Sequence, residues 1–290
     1  RAVPWLARTH SITMLPSVAA LKALRKVKMN IANRRAFVGF GDPYFNEDQA
    51  LAADKNLAHQ VATASNVRGM PVKLRNRPKT RVVDSADLAL LPRLPETGFE
   101  LQSIAASMGS NPINTIFLGR QANEGRVKKM KLDGFRVLAF ATHGLVPGDL
   151  DGLNQPALAL SAPKVAGIEG DGLLTMDEIF SLSLDADWVV LSACNTASGD
   201  GAGAEAVSGL GRAFFYAGAK SLLVSNWPVH SGATAHLTST LFSFQAKDKS
   251  LSRATALQKT RVEMIDQGIQ KDGQGNPVFS YAHPIFWAPF

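Results

Sequence analysis

The chain has 290 residues, 46% of them hydrophobic, and a formal net charge of +7. That is enough apolar content for one large core or two smaller ones. No apolar run approaches the roughly 20 residues of a membrane-spanning helix, so the chain reads as soluble with no membrane partner. The single cysteine, Cys194, excludes an internal disulfide and suits a reducing compartment.

The positive charge is unevenly spread. Residues 1–100 carry sixteen Lys and Arg against eight Asp and Glu, whereas residues 101–200 carry seven against eleven. The excess concentrates in "VRGMPVKLRNRPKTRVV", where Arg68, Lys73, Arg75, Arg77, Lys79 and Arg81 surround Pro71 and Pro78. A nucleic-acid surface needs basic residues on a regular face with aromatics between them. Two prolines and no aromatic favour a solvated, protease-sensitive loop instead, and a nucleic-acid partner is not expected.

In chain order, "HSITMLPS" (10–17) reads as a strand and "VAALKALRKV" (18–27) as an amphipathic helix. "RAFVGFGDP" (35–43) is a strand ending in a Gly-Asp-Pro turn, and a helix is expected around 50–65. "TGFELQSIAASMG" has a capping Thr97 with Glu100 three residues on, and Gly109 at its end. "INTIFLG" is a strand and "NEGRVKKMKL" a short helix. "FRVLAFATHG" and "DWVVLSAC" are strands that end at His143 and Cys194. "AEAVSGLGRAFFYAGA" is a helix, and "KSLLVSNWP" is a strand closed by Pro228. Two helices follow, in "GATAHLTSTLFSFQAK" and "SRATALQKTRVEMIDQG", and "IFWAPF" begins a last strand. Fully apolar strands alternating with helices indicate a largely parallel sheet covered on both faces. No repeat of 20–50 residues is visible.

Function in an open parallel sheet collects at the carboxyl ends of its strands. Two such ends here carry an imidazole and a thiol. If the strands are neighbours, His143 and Cys194 project from one edge, where the imidazole can take the thiol proton. Gly144 lets the chain turn after His143, and its N–H together with that of Cys194 could stabilise an oxyanion. The competing reading is that Cys194 is packing, since free cysteine is among the most buried residue types. The residues alone leave both open.

Other features carry less. "GDGAGA" (199–204) matches a dinucleotide-binding pattern, but it starts five residues past the cysteine. After Glu205 no acidic residue follows until Asp248, so the ribose-binding acid is missing. His10, His59, His236 and His283 lack metal-ligand spacing, and no metal or cofactor is expected. Trp188, Trp227, Phe214, Phe215 and Tyr216 read as core.

Taken in order, "ATHG" and "LSACNTASGDGAGAEAVSGLGRAFFYAGAKSLLVSNWPV" resemble the CHAT peptidase family, caspase-like domains related to separase. The resemblance extends through "GDP" (Gly41 to Pro43), "LPETGFELQSIA", "DGLLTMDEIFSL" and "HPIFWAPF", from about Ser11 onward. It implies a caspase-like three-layer α/β/α sandwich with a mostly parallel sheet. It also implies a cysteine endopeptidase acting on proteins through a His143/Cys194 dyad and a thioester, without a cofactor. The alternative is a caspase-fold interaction module without proteolysis.

Asp171, Asp177 and Glu178 are expected to face solvent or cap the helix starting at Thr175, and Glu205 to cap its own helix or touch substrate. Asn226, Trp227 and His230 are candidate substrate contacts. The family commonly carries acids after its "NW"; this chain has "PVHSGAT", with His230 and Ser231 at those positions, which leaves a preference for a basic residue before the cut in doubt. His230 is otherwise expected as an exposed loop residue. Residues 1–30 are expected to be the remnant of a preceding, inactive caspase-like segment. Residues 31–290 are expected to form the peptidase domain, with a variable basic loop at about 66–95 and truncation at the C-terminus. The resemblance further implies a cytoplasmic protein of bacterial type, held latent until a repeat region of the same chain or a regulatory partner activates it.

Overall fold

The computed structural model describes residues 3–14, 33–55, 88–193, 202–227 and 229–290, with the backbone alone over 202–208. The expected helix at 18–27, His59, the basic stretch up to residue 87 and Cys194 lie outside the described residues.

The elements follow in chain order as β1 (Arg35–Gly41), α1 (Glu47–Lys55), α2 (Glu96–Ser107), β2 (Ile116–Leu118), α3 (Glu124–Lys129) and β3 (Phe135–Ala141). A small-sheet region comes next, with β4 (Gly144–Leu145), β5 (Ala157–Ala159), β6 (Leu173–Thr175) and α4 (Met176–Phe180). Then come β7 (Trp188–Leu191), α5 (Ala202–Ala217), β8 (Leu222–Leu223), α6 (Ser231–Lys247) and α7 (Arg253–Asp266). The chain closes with the hairpin β9 (Ile269–Lys271) and β10 (Pro277–Ser280), then the single turn α8 (Pro284–Trp287).

The central sheet has the order β2-β1-β3-β7-β8, and every neighbouring pair is parallel. Apart from the exposed Arg35 and Arg136 near the starts of β1 and β3, its strands are apolar because both faces are covered. Alternation along them sorts residues into two cores. Phe37, Val137, Ala139, Trp188 and Val190 point to one face and meet Leu101, Ile104, Leu237, Leu241 and Met264 of α2, α6 and α7. Val38, Phe40, Leu138, Phe140, Val189 and Leu191 point to the other and meet Val127, Ile179, Leu210 and Phe214 of α3, α4 and α5. The result is a three-layer α/β/α sandwich. Close approach of α2 depends on glycine: a Cβ at Gly39 would lie 2.8 Å from Leu101 Cδ2, and one at Gly41 would lie 2.7 Å from Leu101 Cδ1.

A second, antiparallel sheet of order β4-β5-β6 extends beyond the carboxyl edge of β3. With α1 and the segment 88–94 it encloses a third, smaller cluster of Phe45, Ala50, Leu88, Leu91, Leu145, Leu150, Ala157, Ala159 and Leu173.

The structure departs from the sequence expectations at several points. His10 to Met14 are irregular rather than a strand. Residues 6–8 form one 3₁₀ turn on α7, where Ala7 is buried and Trp5 meets Trp287 edge-on. Gln258 Nε2 donates to the Ala7 and Arg8 carbonyls, and Arg8 pairs with Asp266 at 2.7 Å. Thr97 does not cap α2: the cap position is Pro95, and the buried Thr97 hydroxyl instead donates to the Leu94 carbonyl and accepts from the Asp42 N–H. "IFWAPF" turns into α8 rather than a strand, because Pro284 suits a first helical position and His283 Nδ1 accepts the Ile285 N–H. Trp188 and Phe214 are core as expected, whereas Tyr216 is 79% exposed and packs on Phe180.

Candidate active site

The site is built at the carboxyl edge where β3 and β7 run side by side. Phe140 is opposite Leu191, and the Ser192 N–H donates to the Phe140 carbonyl at 2.9 Å. His143 follows β3 by two residues, and it is fully buried. The described chain leaves β7 at the buried Ala193, whose carbonyl accepts the Ser225 hydroxyl at 2.6 Å. Cys194 is the next residue, and its own placement lies outside the described residues.

The His143 ring is oriented by backbone. Nε2 lies 2.7 Å from the Pro92 carbonyl oxygen, and a carbonyl can only accept. Nε2 therefore carries the proton, and in the neutral ring the lone pair is on Nδ1. The Phe45 ring packs 5.5 Å from the imidazole, centroid to centroid. The His143 carbonyl accepts the Ala159 N–H at 2.9 Å, which makes His143 and Ala159 a hydrogen-bonded pair of the small sheet. Gly144, opposite Leu158, is then in the alternate position, where the antiparallel ladder turns its N–H away from β5.

The segment bearing Pro92 is tied down by the connection after β1. Asn46 Nδ2 donates to the Ala89 carbonyl and Gln49 Nε2 to the Leu91 carbonyl, both at 2.8 Å. Arg93 grips Asp42 with two bonds, Nε to Oδ1 at 2.8 Å and Nη2 to Oδ2 at 2.6 Å. The Arg93 guanidinium also lies over the Tyr44 ring, 4.9 Å from its centroid. Asp42 is buried and has φ +44, a left-handed conformation uncommon for a residue with a side chain. Burial pushes its carboxyl up to about 6, against the pull of Arg93. The sequence places Gly41 to Pro43 in a turn and Pro92 and Arg93 within the variable basic loop at about 66–95; in the last part of that stretch Leu88, Leu91 and Leu94 are buried and Pro92 meets His143. A carbonyl has no side-chain signature, so only the fold could bring Pro92 to the imidazole.

Of the remaining candidates, Asn226 and His230 make local hydrogen bonds. The Asn226 backbone N–H and Nδ2 both donate to the Pro289 carbonyl, at 2.7 and 2.8 Å. Trp227 is half-buried. His230 is not an exposed loop residue: it is the N-cap of α6, with Nδ1 accepting the Ala233 N–H, and its ring is edge-on to Phe279 and Phe286. Glu205 is in α5, and its side chain lies outside the described residues. Thr175 and Glu178 form a capping box for α4. His236 Nε2 meets Glu263 at 2.9 Å, and His10 Nδ1 meets Thr9 at 2.7 Å. No group of three His, Cys, Asp or Glu among the described residues is arranged to hold a metal ion, and no described helix is long and apolar enough to cross a membrane.

An α/β/α sandwich with a histidine at the carboxyl end of one central parallel strand, beside the strand that leads to a cysteine, defines a caspase-like domain related to cysteine peptidases. The CHAT domain model matches residues 2–290, and the chain belongs to that family. A comparison with curated proteins returns no match.

Proposed function

We propose that the chain is a cysteine endopeptidase in which His143 and Cys194 form the catalytic dyad. The observation that carries this reading is the fixed His143 ring at the edge shared by β3 and β7, with its proton committed to Pro92 on Nε2. Nδ1 then takes the Cys194 thiol proton, and Sγ attacks the scissile carbonyl carbon. The oxyanion that forms is met by the N–H groups of Gly144 and Cys194. As the C–N bond breaks, Nδ1–H gives its proton to the leaving amine and a thioester remains. Water then loses a proton to Nδ1 and attacks the thioester, the C–S bond breaks, and the proton returns to sulfur.

The test is a peptide-library cleavage profile of the chain beside Cys194→Ala, with labelling by a thiol-reactive peptide electrophile. Cleavage absent from Cys194→Ala, and labelling of Cys194 abolished by His143→Ala, support the dyad. Folded protein that neither cleaves nor labels favours an interaction module.

A further inference from the structure

We propose that Asp42 and Arg93 are positioning residues for His143: their ion pair holds the Pro92 carbonyl on Nε2 and so decides which ring nitrogen carries the lone pair. The role given to that nitrogen rests on the peptidase reading; the way the ring is held does not.

The geometry is a short relay. Arg93 immediately follows Pro92, so fixing the guanidinium fixes the peptide plane whose oxygen receives Nε2–H. Asp42 is a rigid partner. Its own N–H donates to Thr97 Oγ1 at 2.7 Å, and its carbonyl accepts the Gly119 N–H at 3.1 Å. The carboxylate therefore cannot follow the arginine outward. Two planar groups joined by two bonds restrict rotation as well as distance, which one bond from a lysine would not. The position is costly to maintain, since it combines a left-handed backbone at Asp42 with a desolvated carboxyl. A buried ion pair commonly adds little net stability, so geometric control of a neighbour is the better account of this one. Thr97 Oγ1, Gln49 and Asn46 brace the same segment from either side of Pro92.

The experiment reads the ring directly. The full chain, labelled with ¹⁵N-histidine, is compared as wild type, Arg93→Gln and Arg93→Lys by the nitrogen shifts of His143. Wild type is expected to show one tautomer with Nε2 protonated, and Arg93→Gln a mixture of both, with Arg93→Lys intermediate. Cys194 alkylation by iodoacetamide is expected to slow at least tenfold in Arg93→Gln. A folded Arg93→Gln that keeps the wild-type shifts overturns the proposal, as does a wild type protonated on Nδ1. Should Arg93→Gln not fold, Gln49→Ala loosens the same segment without stranding a buried charge and is read by the same criterion. Alkylation that is indifferent to His143→Ala counts against the peptidase reading alone, because the shifts still decide how the ring is held.

Discussion

His143 Nε2 and the Pro92 carbonyl oxygen are 2.7 Å apart, although the two residues are separated by 51 positions in the chain. The bond joins the exit of β3 to a segment held by the loop after β1. It puts the lone pair of the neutral imidazole on Nδ1, the nitrogen that the proposed dyad uses. His143→Gln in folded protein should therefore lower peptide cleavage by about 10² to 10⁴-fold, the usual range for losing a general acid–base. Steady-state kinetics on the best library peptide would measure this, and KM should change far less than kcat.

Asp42 makes stability depend on pH in an unusual direction. An acid whose folded pKa is raised from 3.8 to about 6 binds more protons folded than unfolded across that window. Its contribution is thus fully present below the ordinary carboxylate value and is lost as pH rises to about 6. The groups facing it are Arg93 and Tyr44, which pack together, and Glu96, whose negative charge adds to the upward push. Relative to Asp42→Asn, the wild-type chain should lose at most roughly 3 kcal/mol between pH 4 and 6.5. Chemical denaturation of both proteins at several pH values measures the difference; parallel curves count against the assignment.

Asp187 should behave in the opposite way. Burial alone would raise its pKa, but Arg34, Arg136 and Lys220 converge on it and hold it below the ordinary carboxylate range. The stability it contributes is present above the unfolded value and is lost as pH falls through the lower, folded one. Asp187→Asn should lower Tm at neutral pH and flatten the acid limb of the stability curve.

Gly218 marks a sharp junction between α5 and β8. Its φ is +116, and a Cβ there would lie 2.0 Å from the Leu184 carbonyl oxygen. Gly218→Ala is expected to cost about 2 kcal/mol or more, because both the backbone and a fixed carbonyl oppose it. The Tm shift gives the measure, with Gly273→Ala as control, since nothing lies within 4 Å of a Cβ at that position.

The basic run from Arg68 to Arg81 is the expected place for self-cleavage. Intact mass followed over time should show a cut in wild type and none in Cys194→Ala. Two uncut proteins remove self-cleavage from the account.

Most of the sandwich was legible because its strands are short, largely apolar runs bounded by turn residues and alternating with helical patterns, as expected of a sheet covered on both sides. Phe135–Ala141 and Trp188–Leu191 are such runs, and their ends carry the two residues singled out from sequence. The β4-β5-β6 sheet was not legible: its strands have two or three residues, too few for periodicity to register. Hairpin β9-β10 was missed for a related reason, since "IQKDGQGNPVFS" reads as polar loop until its glycine turn is closed. Thr97 illustrates a different limit. A threonine followed by a glutamate three residues on satisfies the capping pattern, yet tertiary demand from Asp42 redirected its hydroxyl.

The small cluster around Phe45, Leu91 and Leu145 is separate from both cores that cover the main sheet. Truncation in any of the three clusters costs packing, but Phe45 of the small cluster packs directly on the His143 ring, and Leu91 sits beside the Pro92 carbonyl that meets it.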